Sequence, residues 1–357
     1  MPVCMFNKIS HRKEDKPLKY IQEWEQQVFK LGEFALQSGE VLLDGKLCYH
    51  KIGALNALKN NLIIMPTYYG GKAISNQAWV NDPLSPFYQE DFCIVIPCLF
   101  GAGESSSPSN TQGKQAGPNF PAISLADNVR AQRELLKARF ADAKPRMVMG
   151  WSMGGMQTLQ WAYQYPDQVG SVLAICATAK CYPHNHVFLE GVASALTADA
   201  DFANGRYPAP PKRGLTAFAK VYAGWAYSQQ FYRDGRYQEL GFESIDQLLE
   251  FWVQDHLQQD ANDLLLQLRT WQHSNITETD EHGKTLMRPL SCPGIIMPSR
   301  SDLYFTAEDA RQDASDLRID YQVLESDFGH IAGGPGRLPI ETQIIFTAVK
   351  QLLEKTQ

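Results

Sequence analysis

A chain of 357 residues exceeds the usual single-domain length, so one large domain with an insertion, or two domains, is expected, with a core that needs no disulfide or metal staple. The 44% hydrophobic and 20% charged content excludes a disordered or collagen-like chain. Its 33 Lys and Arg against 39 Asp and Glu give a net charge of -6, without the basic excess of a nucleic-acid binder or the basic stripe of a membrane-surface protein.

The opening MPVCMFNKISHRKEDKP is charged where an export signal needs an apolar core. No run approaches the roughly 18–20 apolar residues of a membrane span, so neither export nor a membrane partner is expected. Leu62-Ile63-Ile64-Met65, Phe92-Cys93-Ile94-Val95-Ile96, Met147-Val148-Met149, Ser171-Val172-Leu173-Ala174-Ile175 and Gly294-Ile295-Ile296-Met297 read as buried strands. They are continuously apolar rather than alternating, which predicts a mostly parallel sheet covered on both faces. Between them, Leu125 to Phe140 and Met153 to Tyr165 read as helices, the second stopped by Pro166. This is an α/β pattern.

After Cys181 the rhythm changes. Pro208-Ala209-Pro210-Pro211 is followed by helical spacing of Ile245, Leu248, Leu249 and Trp252, and then of Leu264, Leu265, Leu268 and Trp271. The expected organisation is a core of 40–180 and 291–357, a helical lid of 181–290 over the carboxyl ends of the strands, and an N-terminal extension of 1–39. The final helix runs from Ile340 to Lys355. Seven cysteines (Cys4, Cys48, Cys93, Cys98, Cys176, Cys181, Cys292) have no CxxC spacing, and several sit in apolar runs. Buried thiols in a reducing, cytoplasmic compartment are expected, which would leave the Asn275-Ile276-Thr277 sequon unused.

Met147-Val148-Met149-Gly150-Trp151-Ser152-Met153-Gly154-Gly155 reads strand, Gly-x-Ser-x-Gly, helix. A nucleophile on a sharp strand-to-helix turn requires small neighbours two positions either side, which this spacing supplies. Its base and orienter are expected later in the chain, in the order acid then histidine. Asp302 ends the loop after the strand at Gly294–Met297, and His330 follows an expected strand at Val323-Leu324 in a Gly-rich loop. Asp327 and Glu325 compete for the acid role, but both lie too close in sequence to His330 to approach it easily from a separate loop. His184, His186, His256, His273 and His282 read as surface or helix residues. Two amides should stabilise an oxyanion: that of Met153, and that of Tyr69 in Pro66-Thr67-Tyr68-Tyr69-Gly70-Gly71, with Tyr68 the alternative. Gly101-Ala102-Gly103 lacks the third glycine of a dinucleotide loop, Ser standing at 106, and no cluster has zinc spacing, so no metal is expected.

The chain resembles the homoserine O-acetyltransferase family of α/β-hydrolase-fold enzymes from about Leu47 to His330. The resemblance runs through Tyr49–Asn56, Phe120–Ser124, Asn128-Val129-Arg130-Ala131-Gln132, Ser152-Met153-Gly154-Gly155-Met156-Gln157, Gly205-Arg206-Tyr207 and Asp260–Leu265. It implies that Ser152 attacks an acyl donor, that His330 is general base and then acid, and that Asp302 orients it. It also implies acetyl-CoA as a candidate acyl donor, no resident cofactor, and a homodimer packed through the insertion.

Two positions depart from the family. Its transferases carry Gly-His-Asp at the catalytic histidine, where the Asp receives the amino group of homoserine; here the sequence is Gly329-His330-Ile331. The family's Arg–Tyr clamp for the substrate carboxylate aligns with Lys220 and Tyr227, and lysine cannot form the planar fork. With Tyr68 and Trp151, these positions are the substrate-pocket candidates. The expected activity is acyl transfer through a Ser152 acyl-enzyme from a small acyl ester or thioester, by ester hydrolysis or to a hydroxyl other than that of homoserine. The alternatives are an acetyl-CoA-dependent homoserine-type transferase and, from another class, a ligand-binding protein without turnover.

Overall fold

The computed structural model describes residues 24, 26–279 and 285–356. Strands β1 (Gln26–Ala35) and β2 (Val41–Ile52) form an antiparallel hairpin at one sheet edge. β2 also runs antiparallel to β4 (Cys93–Pro97). From β4 the sheet is parallel through β3 (Leu62–Ile64), β5 (Met147–Trp151), β6 (Val172–Ile175), β9 (Gly294–Met297) and β10 (Asp320–Tyr321). A small hairpin of β7 (Glu278–Thr279) and β8 (Thr285–Leu286) lies apart.

The apolar runs form the central strands because both of their faces are buried. Ile63, Ile94, Ile96, Met147 and Met149 belong to one core. Their alternating neighbours Leu62, Ile64, Cys93, Val95 and Val148 belong to a second. Period-two geometry sends successive residues to opposite faces, so a strand covered on both sides needs an unbroken apolar run. Helices α1 (Gln77–Asn81) and α2 (Pro86–Gln89) are short pieces between β3 and β4. Helix α3 (Leu125–Arg139) starts at a capping box in which Ser124 accepts the Asp127 amide and Asp127 accepts the Ser124 amide. Helix α4 (Met153–Gln164) follows β5 directly.

Between β6 and β9 lie α5 (Pro183–Thr197), α6 (Lys212–Ala226), α7 (Gln229–Arg233), α8 (Ile245–His256) and α9 (Ala261–Gln272). This segment bonds to loops that leave the carboxyl ends of the strands. The Tyr69 phenol donates to the Leu264 carbonyl at 3.1 Å, and the Gly70 amide to Gln267 Oε1 at 2.8 Å. Ser228 donates to the Asp327 carbonyl at 2.5 Å. Helices α10 (Ala307–Leu317) and α11 (Pro339–Glu354) complete the chain.

Two expectations need correction. The sheet begins at Gln26, inside the 1–39 stretch set apart as an extension, because β1 pairs along most of β2. No strand forms at Val323-Leu324: the ladder lies at Asp320–Tyr321, and Leu324 makes a single bridge with Ser299. Cys4, His282 and the start of the N-terminal extension fall outside the described residues.

Candidate active site

Ser152 stands at the junction of β5 and α4 with φ 58° and ψ -130°. That left-handed backbone on a residue with a Cβ costs of order 1–3 kcal/mol and is imposed by the tight turn. A Cβ added at Gly150 would lie 2.3 Å from the Gly154 carbonyl carbon, and one at Gly154 would lie 2.6 Å from the Pro66 carbonyl oxygen. The two glycines of the motif are therefore there for backbone approach.

The loops after β9 and β10 bring Asp302 and His330 together. His330 Nδ1 lies 2.7 Å from Asp302 Oδ2, and both residues are buried. Asp302 Oδ1 accepts the amides of Tyr304 at 2.8 Å and Phe305 at 3.2 Å. A carboxylate only accepts, so Nδ1 carries the shared proton, and in the neutral imidazole Nε2 is the nitrogen with the free lone pair. The imidazole is held against the serine turn by Trp151. Its indole N–H donates to the His330 carbonyl at 3.1 Å, and its ring stacks on the imidazole at 4.8 Å. Tyr304 and Phe305 press on the same ring from other sides. Asp327 and Glu325 are committed elsewhere, to Arg300, and Asp327 also reaches Arg236.

Met153 opens α4, so its amide has no acceptor within the helix. The amides of Tyr68 and Tyr69 likewise take no partner among the described residues. Tyr68 meets the Trp151 ring edge-on at 4.6 Å. Ile331 is buried directly after His330.

Lys220 and Tyr227 do not form a clamp. Lys220 is exposed on α6 and lines a shallow surface depression with Lys212, Arg213 and Thr216. A lysine two positions before the buried Tyr222 points away from it on a helix. Tyr227 is fully buried and stacks on Phe231 at 4.2 Å, and burial pushes its phenol up to about 12.

Three features escaped the sequence reading. Cys176, fully buried at the end of β6, brings its sulfur within 4.8 Å of the ligating atoms of Asp302 and His330. Burial, and then the Asp302 charge, push its thiol well above the ordinary range, so it is protonated. These three residues follow three different strands, so no sequence spacing could announce the cluster. Second, His256 is buried on α8 among Phe218, Tyr222 and Trp252, its Nδ1 2.9 Å from the Trp252 carbonyl. Burial lowers its pKa, which keeps it neutral. Third, Tyr222 on α6 packs on Tyr69 and Tyr304 at 5.5 and 5.2 Å. The other helical histidines lie as expected: His184 packs on Trp225, His186 is 3.3 Å from Gln272, and His273 is exposed.

The α/β-hydrolase fold profile matches residues 60–333. The chain belongs to the α/β-hydrolase fold family. It is 32% identical to the ethyl acetate hydrolase of Pseudomonas veronii over 314 residues, covering 85% of this chain and 89% of that protein. It is 30% identical to a homoserine O-acetyltransferase of Rhodopseudomonas palustris over 337 residues, covering 83% of each. The structure of the acetyl esterase MekB superposes with a TM-score of 0.86 at 30% identity, covering 93% of this chain and 97% of that one. The chain is therefore an α/β-hydrolase enzyme of acyl transfer or ester hydrolysis, with homoserine-acetyltransferase-like relatives.

Proposed function

We propose that the protein hydrolyses small neutral acyl esters through an acyl-enzyme on Ser152. The observation that carries this reading is the buried His330–Asp302 pair locked against the serine turn by Trp151. His330 Nε2 takes the Ser152 proton as the hydroxyl attacks the ester carbonyl, and the amides of Met153 and Tyr69 receive the oxyanion. His330 then gives the proton to the departing alkoxide, and the cycle repeats with water. Asp302 holds the imidazole in the tautomer that makes both transfers possible.

Hydrolysis is favoured over transfer to homoserine by what surrounds the site. Ile331 offers no charge to an ammonium group, Lys220 is exposed on the outer face of α6, and the neighbouring rings of Trp151, Tyr222, Tyr304 and Phe305 are uncharged. A zwitterionic acceptor would gain no ionic partner from these groups for the hydration it loses. Acetyl-CoA remains a candidate acyl donor, and no resident cofactor enters the mechanism. The similarity to an ethyl acetate hydrolase and an acetyl esterase supports acetyl esters as the first substrates to test.

Exposed Val187 and Val221, on the contacting helices α5 and α6, support a homodimer through the insertion. The free thiols of Cys48, Cys93, Cys98, Cys176, Cys181 and Cys292 support a reducing, cytoplasmic location. The activity is tested by following acetate release from ethyl acetate and from acetyl-CoA, with and without homoserine. Release independent of homoserine supports the hydrolase. Acetylhomoserine as the main product would make the protein a transferase.

A further inference from the structure

The insertion brings three phenols toward the wall that faces His330: Tyr222, Tyr227 and Tyr232. Buried phenols normally find an acceptor, so the unpartnered ones stand out. Tyr232 donates to the Ala223 carbonyl at 2.7 Å. The Tyr227 hydroxyl has no partner either, but it is sealed with no exposure, its ring packed on Phe231, Tyr232 and Trp252, all from the insertion itself, so no substrate reaches it. Of the phenols on the facing loops, Tyr69 donates to the Leu264 carbonyl and Tyr304 to the Tyr222 carbonyl, while the hydroxyl of Tyr68, edge-on to Trp151, takes no partner among the described residues. Tyr222 is 7% exposed, and its hydroxyl takes no partner among the described residues.

Its ring stacks on Tyr69 at 5.5 Å and 16°, next to the amide assigned to the oxyanion. On its other side it packs 5.2 Å from Tyr304, whose ring is 4.8 Å from the His330 imidazole. Tyr222 therefore lies between Tyr69 of the proposed oxyanion loop and Tyr304, which packs on the histidine that would protonate the leaving group. Burial and the nearby Asp302 charge raise its phenol, so it acts as a proton-bearing donor and never as a base.

We propose that the Tyr222 phenol is a substrate-contacting donor that hydrogen-bonds the leaving-group oxygen as the acyl–oxygen bond breaks. The step balances without it: the electron pair of that bond goes to the leaving oxygen, and the proton comes from His330. Tyr222 keeps its own proton and disperses the charge developing on the alkoxide. This inference rests on the proposed esterase reading. It predicts that substrates differ in their need for Tyr222 according to how poor a leaving group they carry.

The test compares kcat/KM for ethyl acetate and p-nitrophenyl acetate in the wild type and in Tyr222→Phe. Both esters form the same acetyl-enzyme and differ only in the leaving oxygen. The expected result is a loss of about 10- to 100-fold for ethyl acetate, with p-nitrophenyl acetate changed by less than about threefold. An equal loss for both esters would show a structural role and overturn the proposal, as would no loss for either. Fluorophosphonate labelling of Ser152, measured in parallel, keeps the two readings apart, since an unlabelled wild type would defeat the esterase reading itself. If the Phe variant does not fold, Tyr222→Met takes the same comparison.

Discussion

Gln132 on α3 donates through Nε2 to Oε1 of Gln157 on α4 across 2.7 Å, and both side chains are buried. The contact is the middle of a relay. Trp161 donates its indole N–H to Gln132 Oε1 at 2.6 Å, and Gln157 Nε2 donates to the Thr67 carbonyl at 2.8 Å. Thr67 Oγ1 in turn accepts the Leu99 amide at 2.8 Å. The two glutamines, from the motifs that carried the family resemblance, thus hold the loop that presents the Tyr68 and Tyr69 amides.

Replacing Gln157 by Leu strands the Thr67 carbonyl and the Gln132 amide in the interior. The expected cost is about 1–3 kcal/mol of stability, read by thermal or urea denaturation. Because the proposed oxyanion loop loses its anchor, kcat/KM should fall by roughly tenfold or more. Unchanged activity in a destabilised variant would mean that the relay serves packing alone.

Replacing Asp302 by Asn lets the side chain offer an N–H to His330 Nδ1 and stabilises the wrong tautomer. Turnover should fall by a factor on the order of 10⁴, as in other serine triads. Steady-state kinetics on a purified variant of normal circular dichroism checks this. A rate near that of the wild type would move the acid role elsewhere.

Gly150→Ala and Gly154→Ala place a Cβ 2.3 Å and 2.6 Å from backbone atoms that cannot move away cheaply. Each should cost about 1–3 kcal/mol or more, and each should disturb the serine turn. Denaturation midpoints close to the wild-type value would contradict the close approach seen at the turn.

Two carboxyls away from the reaction control stability against pH. Burial pushes Asp263 and Asp313 up to about 6. Asp263 accepts the Ser109 amide and hydroxyl, and Asp313 accepts the Ala179 amide and the Tyr182 phenol. Their folded values lie above those of the unfolded chain. Their contribution is therefore largest at low pH and is lost as pH rises from about 4 to about 6. The melting temperature should carry a downward component across that window, and Asp313→Asn should remove its share. A slope unaffected by this substitution would show that the carboxylate is not strained by burial.

Ile331→Asp restores one family feature in isolation. Acetylhomoserine formation should not rise, because Lys220, at the position of the family's clamp arginine, is exposed on α6. Mass spectrometry of the products decides the point.

The serine turn was legible because its requirements are local: small residues at fixed offsets, a strand before and a helix after. Asp302 and His330 were legible because each ends a loop that follows an apolar run, and topology carries such loops to one sheet edge. The edge hairpin of β1 and β2 was not, since many of its residues face solvent and its pattern lacks a continuous apolar run. Lys220 and Tyr227 were placed by alignment across a helix, where a shift of two positions turns a side chain from the interior to the surface. Tyr222 and Cys176 could not be found at all, because their neighbours come from distant strands and helices.

The central claim is that Ser152, activated by His330, is the nucleophile. Fluorophosphonate treatment of the wild type and of His330→Ala, followed by peptide mass spectrometry, tests it most directly. The account predicts one adduct, on the Ser152 peptide, and its loss in the His330→Ala protein. Folded wild-type protein without an adduct, or with the adduct on another residue, would contradict it.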